Sequence, residues 1–303
     1  MRVLINGLPL FGNRLAGQLK AADPDSSFIF CDTYRSRLEQ LRFLALLPFT
    51  DAVISMNGVT DRSGSLDAVL LFKKKLILQW QGTDALLAME RNQKGTLLRK
   101  YIDYALNLVD SDWLEEEIKS IGLQPERLTF KTAPEIQPVV GYERISAMTY
   151  IASHRQEFYG IKRVIELANA FPEIPFHVFG TAESQFSTPG NLFFHGWVDP
   201  ATFTEQLRNT PIFLRLTEHE GFPVSVIEAM AAGCEVIMSM PYADARVSAS
   251  NAQDKIRFQE ALDSLHGRGL IPNQRAVETV YAQFEKTATL QKYLGRLTTF
   301  IKS

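Results

Sequence analysis

Glu220-Gly221-Phe222-Pro223-Val224-Ser225-Val226-Ile227-Glu228-Ala229-Met230-Ala231-Ala232-Gly233 places two carboxylates eight positions apart across a Gly-Phe-Pro turn. Upstream, Pro211 to Leu216 reads as a short buried strand. Downstream, Val224 to Ala232 has the apolar spacing and alanine content of a helix. Glu220 therefore belongs on a strand-to-helix loop and Glu228 about one turn into the helix. In an α/β domain that edge collects ligands, because it lies beyond the carboxyl end of a strand and beside a helix N-terminus whose free N–H groups favour phosphate. Acceptor-only carboxylates suit ligand hydroxyls better than phosphates. Glu220 would take hydroxyls of a sugar ring and Glu228 a ribose diol.

On both sides of this stretch the chain alternates short apolar strands with helical segments, the pattern of parallel sheets covered on both faces. In the first half Val3 to Ile5, Ser27 to Cys31, Ala52 to Ser55 and Leu76 to Gln79 read as strands. The last two end in polar turns, Met56-Asn57-Gly58 and Trp80-Gln81-Gly82-Thr83-Asp84, which should line a ligand cleft. Thr132 to Tyr142, with Pro134, Pro138 and Gly141, is the best linker candidate. The rhythm then restarts with strands at Met148 to Ala152, Phe176 to Phe179, Leu192 to His195, Pro211 to Leu216 and Glu235 to Ser239. From Ala276 to Ile301 the spacing predicts one long amphipathic helix, with Val280, Phe284, Leu290, Leu294, Leu297 and Ile301 near one stripe.

The 303 residues suit two domains of about 150 each. A net charge of -2 argues against nucleic acid as a partner, since such binders carry a basic excess. Cys31 and Cys234 read as buried thiols of a reducing compartment. No apolar run reaches membrane-spanning length, and the N-terminus reads as a first strand, so a cytoplasmic protein is expected.

The Glu-x7-Glu spacing within its Gly-Phe-Pro and Ala-Met-Ala-Ala-Gly context resembles the motif of retaining glycosyltransferases of the GT-B fold, most closely their large family four. Further segments are similar in the right order: Trp80-Gln81-Gly82-Thr83-Asp84, Val109 to Leu114 with Ile121-Gly122-Leu123, Gly180, and His195-Gly196-Trp197-Val198. The likeness is strong over 148–240 and diffuse over 1–135. It implies an α/β protein with two Rossmann-like domains facing a cleft. These would be an acceptor-side domain at 1–140, a nucleotide-sugar donor domain at 141–275, and a C-terminal helix at 276–303 crossing back. The implied reaction is transfer of a hexose from a UDP- or GDP-sugar to a glycan, lipid-linked or protein hydroxyl, with retention and without a metal or other cofactor.

The resemblance assigns Glu220 to the donor sugar, Glu228 to the ribose, and the backbone of Gly221, Phe222 and Pro223 to the sugar pocket. It places Arg155 at the arginine of the diphosphate site. Where relatives carry a lysine before glycine this chain has Tyr159, so either Lys162 reaches over from the following helix, the favoured reading, or the Tyr159 hydroxyl replaces the charge. Gly12-Asn13 looks like the family's short glycine loop at the phosphates, or is an ordinary turn. All five histidines lie beyond residue 150, so the histidine that many relatives place in the first domain is missing. Asp84, or the Trp80-Gln81 pair, occupies a plausible position for that role, although Asp84 equally caps the helix that begins at Ala85. A front-face reaction, in which the donor phosphate takes the acceptor proton, needs no protein base. The alternatives are a non-catalytic relative that binds a nucleotide sugar or a partner, and a sugar-nucleotide epimerase.

Asp110-Ser111-Asp112 matches a metal-holding D-x-D but precedes a helix, where capping explains it. His195 reads as a strand-end residue, and His219 as exposed or touching the donor sugar. Arg35 to Leu47 is basic and leucine-rich. The simpler reading is a crossover helix packing its leucines on the sheet; the alternative is peripheral contact of 35–47 with anionic lipid on the cytoplasmic membrane face.

Overall fold

The computed structural model describes all 303 residues, which divide into two compact units. The first comprises Met1–Lys131, Glu220–Phe222 and Lys286–Ser303; the second, Thr132–His219 and Pro223–Glu285.

In the first unit β1 (Arg2–Gly7), α1 (Pro9–Ala22), β2 (Ser27–Phe30), α2 (Arg37–Leu46), β3 (Ala52–Met56), α3 (Gly64–Leu71), β4 (Lys75–Gln79), α4 (Thr83–Gln93), β5 (Leu106–Val109), α5 (Asp112–Ser120) and β6 (Glu126–Arg127) follow one another. The strands form one parallel sheet of order β2-β1-β3-β4-β5-β6. Both faces are covered, so β3 is buried at all five positions rather than alternating. Leu4, Val53, Leu76 and Leu78 fill one face and Val3, Ile5, Ile54 and Ile77 the other.

The second unit contains β7 (Ala147–Tyr150), α6 (Ile161–Ala170), β8 (Phe176–Phe179), β9 (Leu192–Gly196), α7 (Pro200–Asn209), β10 (Ile212–Arg215), α8 (Val224–Ala231), β11 (Glu235–Met238), β12 (Arg246–Val247), α9 (Asn251–Gly267) and α10 (Gln274–Phe284). Its sheet is also parallel, with order β12-β11-β10-β7-β8-β9. Counted from its own first strand, this is the 3-2-1-4-5-6 order of a dinucleotide-binding sheet, with the topological switch between β7 and β10. The stretch read as a linker is fastened within this unit: Ala133 N–H donates to Phe284 O at 2.7 Å and Ile136 N–H to the Tyr281 hydroxyl at 3.2 Å.

The C-terminal helix corrects the sequence reading. Instead of one helix over 276–301 there are two, α10 and α11 (Lys286–Lys302), broken at Glu285, whose ψ of 129° is extended. Their apolar stripes serve different cores. α10 buries Ala276, Val277, Val280 and Phe284, whereas Leu290, Tyr293 and Leu297 of α11 pack on the first sheet with Leu15 and Leu19 of α1.

Candidate functional site

At the switch point of the second sheet, β7 and β10 lie side by side and their following loops diverge. Gly160 has φ +83°, and a Cβ there would stand 2.2 Å from the Leu216 carbonyl oxygen, so only glycine lets the two loops touch. Glu218 N–H donates to Phe158 O at 2.9 Å and completes the contact. Two helices, α6 and α8, begin from these loops, and neither N-terminus has a side-chain cap. In the same unit α7, α9 and α10 are capped by Asp199, Ser250 and Asn273. Uncapped amides at the positive end of a helix dipole are an anion site.

Arg163, in the first turn of α6, is committed to Asp254, and three further cations stand near these helix starts. Arg155 ends the short 3-10 turn Ser153–Arg155; it is exposed, and its guanidinium lies 3.8 Å from the Phe158 ring centroid. Lys162, in the first turn of α6, is paired with Glu157, so its charge is already matched. Arg215 is the last residue of β10. It is buried, donates from Nη1 to Tyr150 O at 2.8 Å, and has its guanidinium 5.2 Å from the Tyr159 ring centroid. Tyr159 packs edge-on to Phe158. Sequence reading passed over Arg215 because it counted as part of an apolar run. A charge at the carboxyl end of a central strand is the signal that would have exposed it.

The tripeptide Glu220–Phe222 is held by polar groups of the first unit. Gly221 N–H donates to Gln81 O at 3.0 Å, Trp113 Nε1–H to Glu220 O at 2.7 Å, and Phe222 N–H to Asp110 Oδ1 at 3.1 Å. Lys131 Nζ donates to Phe222 O at 2.7 Å and forms a buried ion pair with Asp110. The Phe222 ring stacks on Trp113 with centroids 5.9 Å apart. The approach is close enough that a Cβ on Gly221 would sit 2.4 Å from Gln81 O, and one on Gly82 (φ +125°) 2.2 Å from Gly221 N. Glu220, partly buried, opens this tripeptide. Glu228, also partly buried, is the fifth residue of α8. Asp110 and Trp113 lie in a segment the sequence singled out only for its resemblance and for a metal-type spacing, and Lys131 carried no signal at all. The capping expected of Asp110-Ser111-Asp112 is not made by a side chain: Asp110 serves Lys131, and Ser111 is the N-cap by position only, with its Oγ buried and unpartnered.

The acceptor-side candidates separate. Trp80 is fully buried in the first core, its Nε1–H on Asn107 Oδ1 at 2.9 Å, so it does not line a surface; its bulk is admitted because residue 58 is glycine. Asp84 is engaged by the backbone, accepting from the N–H groups of Gly58, Gln81, Gly82 and Ala85. Burial pushes its carboxyl above the usual range, and the four amides oppose that shift. Gln81 keeps a buried side-chain oxygen without a partner. Gly12 and Asn13 do not form a loop. Pro9 starts α1 early, as proline at a first helical position does, and Gly12 is small because the Phe30 ring would lie 2.3 Å from its Cβ. At the carboxyl edge of β1 and β3 stands a polar group. Asn6 Nδ2 donates to Thr33, while Asn57 Oδ1 accepts from Tyr34 and Ser55. The buried Asn6 Oδ1 has no partner. Among the His, Cys, Asp and Glu side chains, none gather in groups of three or more that could hold a metal.

Residues 147–260 match the family model of glycosyl transferases group 1. The match runs from β7 into α9 and includes both glutamates of the opening motif. Comparison with curated protein sequences finds no match. Among solved structures, sucrose-phosphate synthase from Thermosynechococcus elongatus superposes with a TM-score of 0.70 at 13% identity, covering 100% of both chains. The pneumococcal O-GlcNAc transferase, solved with UDP and GlcNAc, gives 0.59 at 15% identity over 88% of this chain and 60% of its own. This chain thus spans less than two thirds of the pneumococcal protein. UDP-GlcNAc 2-epimerase from Neisseria meningitidis, bound to UDP-GlcNAc, gives 0.61 at 11% identity, covering 99% and 100%. The architecture is the GT-B fold.

Proposed function

We propose that this chain is a retaining glycosyltransferase that moves a hexose from a nucleoside-diphosphate sugar, UDP- or GDP-linked, to a hydroxyl of a glycan, a lipid-linked glycan or a protein. The observation that carries the reading is the convergence, at the switch point of a 3-2-1-4-5-6 sheet, of two uncapped helix N-termini with the Glu-x7-Glu segment. Such helix starts favour a diphosphate, and carboxylates on the adjoining loop and helix favour hydroxyls. A transferase and an epimerase share this fold, so the fold alone does not choose between them. The family-model match across the motif favours transfer.

In this reading Arg155 and Arg215, rather than Lys162, balance the charge of the leaving diphosphate, because Lys162 is matched by Glu157 while Arg155 makes no ion pair. Glu228 accepts the ribose hydroxyls and Glu220 the hydroxyls of the donor hexose. The bond from the anomeric carbon to the phosphate oxygen breaks as the acceptor oxygen approaches from the same face, and the acceptor proton passes to the departing phosphate. The protein's contribution is to place and stabilise charge, which accommodates a first unit without histidine.

Glu220→Gln keeps the shape and removes the charge. It is expected to lower turnover about a hundredfold, the order of one lost transition-state contact, with an unchanged unfolding midpoint. Wild-type turnover by this variant would refute the assignment.

A further inference from the structure

The outer face of α2 is apolar where a solvent-facing helix should be polar. Of its ten residues only Phe43 is buried. Leu38 is 75% exposed and Leu41 65%, and Phe49, just beyond the helix, is 67% exposed. Leu38, Leu41 and Ala45 follow the i, i+3, i+7 spacing of one stripe, and that stripe points away from the sheet. The simpler sequence reading, leucines packed on the sheet, holds for Leu46 and Leu47, which join Phe43 at the core, and fails for Leu38, Leu41 and Leu44. The patch extends to the end of α3: Lys74 Nζ donates to Pro48 O at 2.8 Å, next to Leu71, which is 79% exposed. Exposed apolar side chains gathered this way mark an interaction surface.

Charge identifies the partner. Arg35, Arg37 and Lys73, which flank α2 and the end of α3 in the chain, have no ion-pair partner; Glu39, the one acid on α2, is matched by Arg42 at 3.2 Å, and the carboxylates of Asp32 and Asp51 accept from the backbone N–H groups of Arg35 and Arg2. This local cationic surplus stands on a chain whose net charge is -2. A second copy on a two-fold axis would bring the same arginines face to face, whereas an anionic bilayer offers phosphates to the cations and an acyl boundary to the leucines.

We propose that the face formed by α2, Phe49 and the end of α3 docks on an anionic lipid surface. The assignment stands apart from the transferase reading. The test is co-sedimentation of the full chain with phosphatidylcholine vesicles, with and without phosphatidylglycerol, for the wild type, Leu38→Gln/Leu41→Gln and Arg35→Gln/Arg37→Gln. Wild type should pellet with the anionic vesicles only, and less so at high salt. Each double variant should partition about tenfold or more weakly, with an unchanged unfolding midpoint because all four side chains are exposed. Wild type left in the supernatant with anionic vesicles, or variants that pellet as wild type does, would overturn the proposal. A wild-type dimer in light scattering that the leucine variant converts to monomer would also overturn it, assigning the face to a second copy.

Discussion

Gly221 shows how a small residue is dictated by its neighbours rather than by its own backbone angles. Any side chain there meets the Gln81 carbonyl at 2.4 Å, a main-chain atom that cannot swing away. Gly221→Ala is expected to cost about 1–3 kcal/mol, the usual price of overpacking, read as a lower denaturant midpoint; an unchanged midpoint would show that the contact relaxes freely. His177 and His195 make a different kind of prediction. Their Nδ1 and Nε2 atoms lie 2.9 Å apart, so one ring must donate and the other accept. Burial first, then the facing His195 and Arg144, hold His177 below the usual imidazole range, and burial does the same for His195. A depressed folded value means that the unfolded chain binds protons more readily. The pair's contribution is then fully present above the unfolded value of about 6.5 and is lost as the pH falls through the folded values. Between pH 7.5 and 5 the wild-type unfolding midpoint should fall more steeply than that of His177→Phe; parallel curves would deny the linkage.

The connections between strands and helices carry the least legible part of the site. Glu220 and Glu228 could be placed from spacing alone because strand, turn and helix are local patterns. Asp110 and Lys131 could not, since their pairing spans 21 residues and they reach Phe222 from 112 and 91 positions away. Such pairings exist only once β4, β5 and the Lys131 segment are side by side. Arg215 was half hidden for a related reason: a charge closing an apolar run is visible in the sequence, but the strand order is what puts that end of β10 at the switch. Lys131→Met tests the pairing. Removing one member of a buried ion pair costs about 3–5 kcal/mol, and the double variant Lys131→Met/Asp110→Leu should recover much of that because no charge is left unmatched. A single variant as stable as wild type would show that the pair contributes little. The break at Glu285 was equally invisible, because no glycine or proline marks it. The helix divides there because its two apolar stripes belong to different cores.

Both parallel sheets were readable from the alternation of short apolar runs with helical segments, since a parallel strand buried on both faces leaves an unbroken apolar signature. Their strand orders were not, because nothing in a strand's own residues names its neighbour. The order matters most in the second unit, where it sets β7 beside β10 and brings the uncapped starts of α6 and α8 to one edge. The most direct measurement is calorimetric titration of the chain with UDP-, GDP-, ADP- and dTDP-sugars, repeated on Glu228→Ala. The proposed assignment predicts that one nucleotide family binds and that Glu228→Ala, by removing the proposed ribose contact, weakens it about tenfold or more, the order of a lost charged hydrogen bond. Binding unaffected by Glu228→Ala, or no binding of any nucleotide sugar, would contradict the placement of the donor at this edge.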